Sequence, residues 1–122
     1  MAGFDLAISQ SLYKCNATIA NGQSLSDAIP LKGYVFVGIQ MPASWTGANL
    51  TLQASADGGV TFANVYDNEG TEFEISADAS RFIRLDPAVM APFDCVKVRS
   101  GTSGSPTNQG GARTLMLVGR VI

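Results

Sequence analysis

Apolar and polar residues alternate with a period of two from one end of this chain to the other, and helical spacing is nearly absent. That pattern restricts the fold to sheets with one buried face. Leu50, Leu52 and Ala54 interleave with Thr51, Gln53 and Ser55, and Asp57-Gly58-Gly59 follows at once, which predicts a strand and a tight hairpin. The partner strand is expected over 60–66, and Asn68-Glu69-Gly70 turns it into a strand over 71–76 with Phe73 and Ile75 facing one way. Arg81, Ile83 and Leu85 interleave with Phe82, Arg84 and Asp86, and Pro87 ends that strand because proline cannot donate to a ladder. Over 95–100, Val96 and Val98 point inward while Lys97 and Arg99 point outward. The last strand, 114–121, contains the unbroken apolar run Leu115-Met116-Leu117-Val118, which predicts burial on both faces.

Residues 14–20 and 33–41 also read as strands, with a shorter one over 24–29 before Pro30, and residues 87–92 as one helical turn fenced by prolines. Seven to nine short strands separated by turn signals predict an all-β fold, a single antiparallel β-sandwich of jelly-roll-like form. The chain has 122 residues, and a domain of that length buries roughly two thirds of the surface its unfolded chain exposes. Hydrophobic residues make up 46% and charged residues only 15%, against about 25% in a typical soluble domain. The exterior is therefore rich in Ser, Thr, Asn, Gln, Gly and Ala. No linker or repeat is visible, and the division expected is an N-terminal arm over 1–12 and one sandwich domain over 13–122.

A net charge of −2 with no cluster of Lys or Arg argues against nucleic acid, because counterion release needs several converging cations. No apolar run approaches the roughly 20 residues that span a bilayer, so no membrane partner is expected. Met1-Ala2-Gly3-Phe4-Asp5 has neither a basic start nor a continuous apolar stretch, and the expectation is a protein made in the cytoplasm. Cys15 and Cys95 then read as reduced core thiols, with a disulfide across the sandwich as the alternative.

Catalytic groupings are hard to assemble from these residues. The chain has no histidine, which removes Ser-His-Asp and Cys-His arrangements and imidazole metal sites. Asp94 beside Cys95 opposes a thiolate. Glu72 and Glu74 share a strand face about 7 Å apart, and an exposed polar face explains them better than paired acid and base. Asp57, Asp67 and Glu69 occupy turns, where local hydrogen bonding favours them, and the spacing is not that of a calcium loop. Neither glycine run has the lysine and helix of a phosphate loop. The expectation is a non-enzyme with no cofactor and no metal. Trp45, the only tryptophan, either plugs one end of the core or stacks on a sugar. Arg99 and Arg113 flank the irregular segment 101–112. They serve either as internal partners of Asp or Glu or as subunit contacts.

Several segments carry a resemblance: Gly38-Ile39-Gln40-Met41-Pro42 with Trp45-Thr46, then 50–59, Val65-Tyr66-Asp67, Arg84-Leu85-Asp86-Pro87 and Val98-Arg99-Ser100-Gly101-Thr102, followed by Asn108-Gln109 and Arg113-Thr114. Over about residues 34–120 the chain resembles small phage and prophage proteins that accompany head and tail genes. Its strand and turn order is also similar to the discoidin-type jelly roll. The resemblance implies a structural component of a tailed bacteriophage virion. Foremost is a capsid decoration or auxiliary head protein, in repeated copies or as a homo-oligomer, contacting capsid or other virion proteins. A tail or neck protein, or a carbohydrate-binding module for host attachment, are the alternatives. The arm, with Phe4, Leu6 and Ile8, is then a strand-adding or clamping segment, and Trp45, Arg99 and Arg113 complete the candidate contact residues.

Overall fold

In a computed structural model that describes residues 12–121, the alternating segments become eight strands and one short helix. In chain order these are β1 (Leu12–Ile19), β2 (Ile29–Pro30), β3 (Val35–Gln40), β4 (Leu50–Ser55), β5 (Ala63–Asn64), β6 (Phe82–Arg84), α1 (Pro87–Met90), β7 (Cys95–Ser100) and β8 (Arg113–Arg120). They form two antiparallel sheets, ordered β1-β8-β3-β6 and β2-β7-β4-β5, here called the first and second sheet. β1 pairs with β8, β2 with β7, β3 with β6 and β4 with β5. It is as though one long hairpin, bent at the β4–β5 turn, had been rolled around the core; β8 meets β3 and β7 meets β4 where the roll closes. This is the wrapping of a jelly roll.

The core lies between the sheets and is built by one residue in two. Ala17, Ile19, Phe36, Ile39, Leu115 and Leu117 come from the first sheet, and Ile29, Leu50, Leu52, Val96 and Val98 from the second. The step in β3 is irregular. Phe36 pairs with Gly119 and Gly38 with the preceding Val118, so Val37 is an extra residue, and Phe36 and Ile39 both reach the interior. The Asp86 carboxylate caps α1 by accepting from the Ala88 amide at 3.0 Å, and Met90 buries the helix against the core.

Four local expectations are corrected. The strand over 24–29 shrinks to Ile29–Pro30, preceded by a single bridge between Leu25 and Arg99. The strand over 60–66 shrinks to Ala63–Asn64, because the Asp57 carboxylate takes up the amides of Val60 and Thr61 that a ladder would have used. Residues 71–76 form only isolated bridges, Glu72 with Tyr66 and Ile75 with Leu50, because the Asp67 carboxylate binds the Glu69 and Thr71 amides and rounds the chain into a loop. In β8, burial is not two-sided: Leu115 and Leu117 are buried, whereas Met116 is exposed and Val118 half-exposed. Among the described residues no layer covers the outside of the first sheet, and the period of two persists there. The expected arm lies outside the described residues except for Leu12, which opens β1.

Candidate functional site

The outward face of the first sheet is assembled by register. Pairing aligns Lys14 with Val118, Asn16 with Met116, Leu12 with Arg120, Gln40 with both Met116 and Phe82, and Gly38 with Arg84. All of these alternate with core residues and so share the outer surface. Phe82 is 62% exposed and Met116 36% exposed, both high for large apolar side chains. The Phe82 ring lies across Gly38, where an added Cβ would come within 2.8 Å of it, so the absence of a side chain lets the ring lie down on the sheet. A shallow depression of about 360 Å³ runs among Leu12, Lys14, Phe82, Met116, Val118 and Arg120. The charged residues at these outward strand positions are Lys14, Arg84 and Arg120; no carboxylate is among them. The surface is apolar at its centre and cationic around it, with the composition of a docking face.

The outside of the second sheet is dressed by the chain's own loops. Lys97 lies over the Phe62 ring, 4.5 Å from its centroid, so the 56–62 loop folds over one end of that face. At the other end Arg99, only 6% exposed, donates from Nη1 and Nη2 to Asn64 Oδ1 at 2.9 and 2.7 Å and from Nε to Thr51 Oγ1 at 3.1 Å. Glu72 stands 3.7 Å from the guanidinium and accepts from the Ser103 amide. The polar group is satisfied internally, which is what burial of a guanidinium demands, and Arg99 is not on the exterior. Glu72 and Glu74 turn to different partners: Glu72 faces Arg99 and Ser103, and Glu74 accepts from Asn49 Nδ2 at 2.8 Å.

Arg113 and Trp45 sit near each other around Gln109, which is 1% exposed. The Gln109 amide oxygen accepts from Arg113 Nε at 3.1 Å and the Thr46 amide at 2.8 Å, and its amide nitrogen donates to the Thr46 carbonyl and to Ser100 Oγ. Arg113 thus pairs with Gln109 and Thr46 rather than with an acid. Trp45 is half-buried against the core and donates from its indole to the Ala48 carbonyl at 3.0 Å. The segment 101–112 is consequently fastened to the sandwich rather than projecting from it. Phe4, Leu6 and Ile8 fall outside the described residues.

The turn acids are occupied by their own loops. Asp57 accepts from Ser55 Oγ, the Val60 and Thr61 amides and Thr61 Oγ1, and these hydrogen bonds hold its carboxyl well below the usual range. Burial, with Asp94 and Asp57 nearby, pushes the Cys95 thiol up, the reverse of what a nucleophile requires. Cys95 lies on the outer side of β7 under Gly59, while Cys15 packs on the inner side of β1; both are free thiols. Among the described residues no group of three or more His, Cys, Asp or Glu is placed to hold a metal, and no helix is long and apolar enough to cross a membrane.

In comparisons with known proteins, no family model, no curated protein and no solved structure matches the chain. Phe82, Met116 and Val118 did not stand out in the sequence as contact residues, although Phe82 at a polar-side position of an alternating strand was the available signal.

Proposed function

We propose that this chain is a structural component of a tailed bacteriophage virion, a capsid decoration or auxiliary head protein binding the capsid lattice. The observation that carries the reading is the open face of the first sheet, with Phe82 and Met116 laid on it and cations around them. An apolar centre ringed by charge is the arrangement of a protein–protein contact, in which the middle is buried and the rim stays wet. The resemblance over residues 34–120 supplies the phage context. Residues 1–11, the part of the expected arm ahead of β1, are the proposed clamp onto a neighbouring protein.

The test is occupancy on purified particles. Phe82→Asp is expected to keep the thermal unfolding of the parent within a few degrees, because the ring is outside the core, and to be depleted from particles at least tenfold. Undiminished occupancy of that folded variant would remove the face from the account, and absence of the parent chain from particles would end the virion reading. Copy number separates head from tail or neck: hundreds per particle are expected, whereas about a dozen would move the protein to the tail. Trp45 is half-buried against the core, which leaves less of that ring for the stacking that the carbohydrate reading assigned to it.

A further inference from the structure

The two outer sides of the sandwich differ in charge in a way that matches one to the other. On the first sheet the outward strand positions carry Lys14, Arg84 and Arg120 and no acid. On the second sheet, the turns and loop edges expose Asp57, Asp67, Glu69 and Asp94, while Glu74 lines a groove that it shares with Arg84 of β6. The cations on that side are withdrawn from the exterior: Arg99 is buried with Glu72, and Lys97 leans over Phe62. Asp57 is held in its ionised form by the hydrogen bonds of its own loop. Large apolar side chains stand on both sides, Phe82 and Met116 on one, Val60 and Tyr66 on the other.

We propose that the occupant of the open face is a second copy of this chain, docked head to tail, so that the basic apolar face of one molecule seats the acidic loop side of the next. This deepens the docking-face reading above and rests on it, but it concerns the purified chain and needs no particle. A contact between two different surfaces of identical molecules repeats, closing into a ring or running on as a row, whereas a contact between identical surfaces stops at a dimer. Four strands at ~4.8 Å spacing and about eight residues at ~3.3 Å rise make a face of roughly 20 by 25 Å. That is smaller than the about 800 Å² each partner buries in a standard interface. A single contact of that size is expected to be weak and to gain strength from repetition in an ordered array.

Sedimentation velocity of the full chain from about 1 to about 500 µM tests this. Concentration-dependent species larger than a dimer are expected, weakened at least tenfold between about 50 mM and about 500 mM salt because the faces attract through charge. The variants are Phe82→Asp with Arg84→Glu on the open face, and Asp67→Lys with Glu69→Lys on the loop side, all at exposed positions. Each double variant alone is expected to be monomeric. An equimolar mixture of the two is expected to form dimers and nothing larger, since each retains one of the two required surfaces. A loop-side variant that associates like the parent would show a symmetric face-to-face contact and overturn the proposal. A parent that stays monomeric throughout would also overturn it; protection of Met116 from peroxide in that monomer would assign the face to the chain's own first eleven residues. Association in solution by a chain absent from particles would sink the virion reading and leave this inference standing. A chain present on particles but monomeric in solution would do the reverse.

Discussion

The side-chain amide of Gln109 binds the backbone of Thr46 twice, accepting from its N–H at 2.8 Å and donating to its carbonyl at 2.9 Å, as an adjacent strand would. One side chain thereby stands in for a peptide unit and closes the end of the sandwich where strand pairing stops. Gln109→Ala would take these partners from the Thr46 N–H and carbonyl and the Arg113 Nε at a position that is itself only 1% exposed. It is expected to cost about 2–4 kcal/mol, read as a lower urea midpoint. Gln109→Glu keeps the acceptor but loses both donors and sets a carboxylate against the Thr46 carbonyl, so at neutral pH it is expected to destabilise at least as much as alanine.

Gly101 and Gly70 share a backbone conformation and differ in surroundings. Both have positive φ, +87° and +86°, but an added Cβ at Gly101 would come within 2.7 Å of the Ser105 carbonyl oxygen and the Thr107 nitrogen, whereas at Gly70 nothing lies within 4 Å. Gly70→Ala is expected to cost about 1 kcal/mol, the penalty for a left-handed conformation alone. Gly101→Ala is expected to cost more than twice that, because backbone atoms cannot yield as a flexible side chain can. Equal losses in paired denaturation curves would refute the steric account.

Asp57 gives the fold an acid-sensitive contribution. Its carboxyl is lowered by the hydroxyls of Thr61 and Ser55 and by the Thr61 and Val60 amides. A depressed native value makes the stabilisation complete above the unfolded range near ~4 and lost as the pH falls through the native value. Urea midpoints of the parent and Asp57→Ala are expected to differ at neutral pH and to converge toward about pH 2. A constant gap across that window would contradict the assignment.

Cys95 acts at the other end of the scale. Its thiol is raised by burial first and by Asp94 and Asp57 after that. The folded state therefore favours the protonated form. That contribution is intact below the unfolded value of ~8.5 and is lost as the pH rises through the raised native one. Between about pH 8 and about pH 10 the parent is expected to lose more stability than Cys95→Ala. Peptide mapping after brief iodoacetamide treatment is expected to find Cys15, the more exposed thiol, labelled ahead of Cys95.

The fold was legible wherever one residue in two meets the core, as in 50–55 and 95–100, where hydrophobic burial dictates both the strand and its inward side. It was less legible where a carboxylate competes with a neighbouring strand for amides. Asp57 and Asp67 turn 60–66 and 71–76 into loops, and nothing in their alternation reveals that competition. The apolar run of β8 misled for another reason: Met116 and Val118 are apolar, yet whether a further layer covers them depends on the rest of the molecule. Gln109 lies in a stretch of Gly, Ser, Thr and Asn that reads as a surface loop, and its partner Thr46 is 63 positions away. The open face emerged only from register, which places Phe82, Gln40 and Met116 side by side from three strands distant in sequence.

The margins of the sheets bear on how safely many such molecules can be crowded together. β2 and β5, the margins of the second sheet, are two residues long, and β2 contains Pro30, which has no N–H to offer. β6, at one margin of the first sheet, has three residues, and the upper end of β1 is tied off where the Thr18 amide donates to Asp27 at 3.0 Å. Among the described residues, only the stretch from Leu12 to Asn16, guarded by Lys14, is a long enough template for a foreign strand. Among the described residues, fibre-like growth by sheet extension is thus confined to one short site, and crowding these surfaces together offers few templates for cross-β pairing.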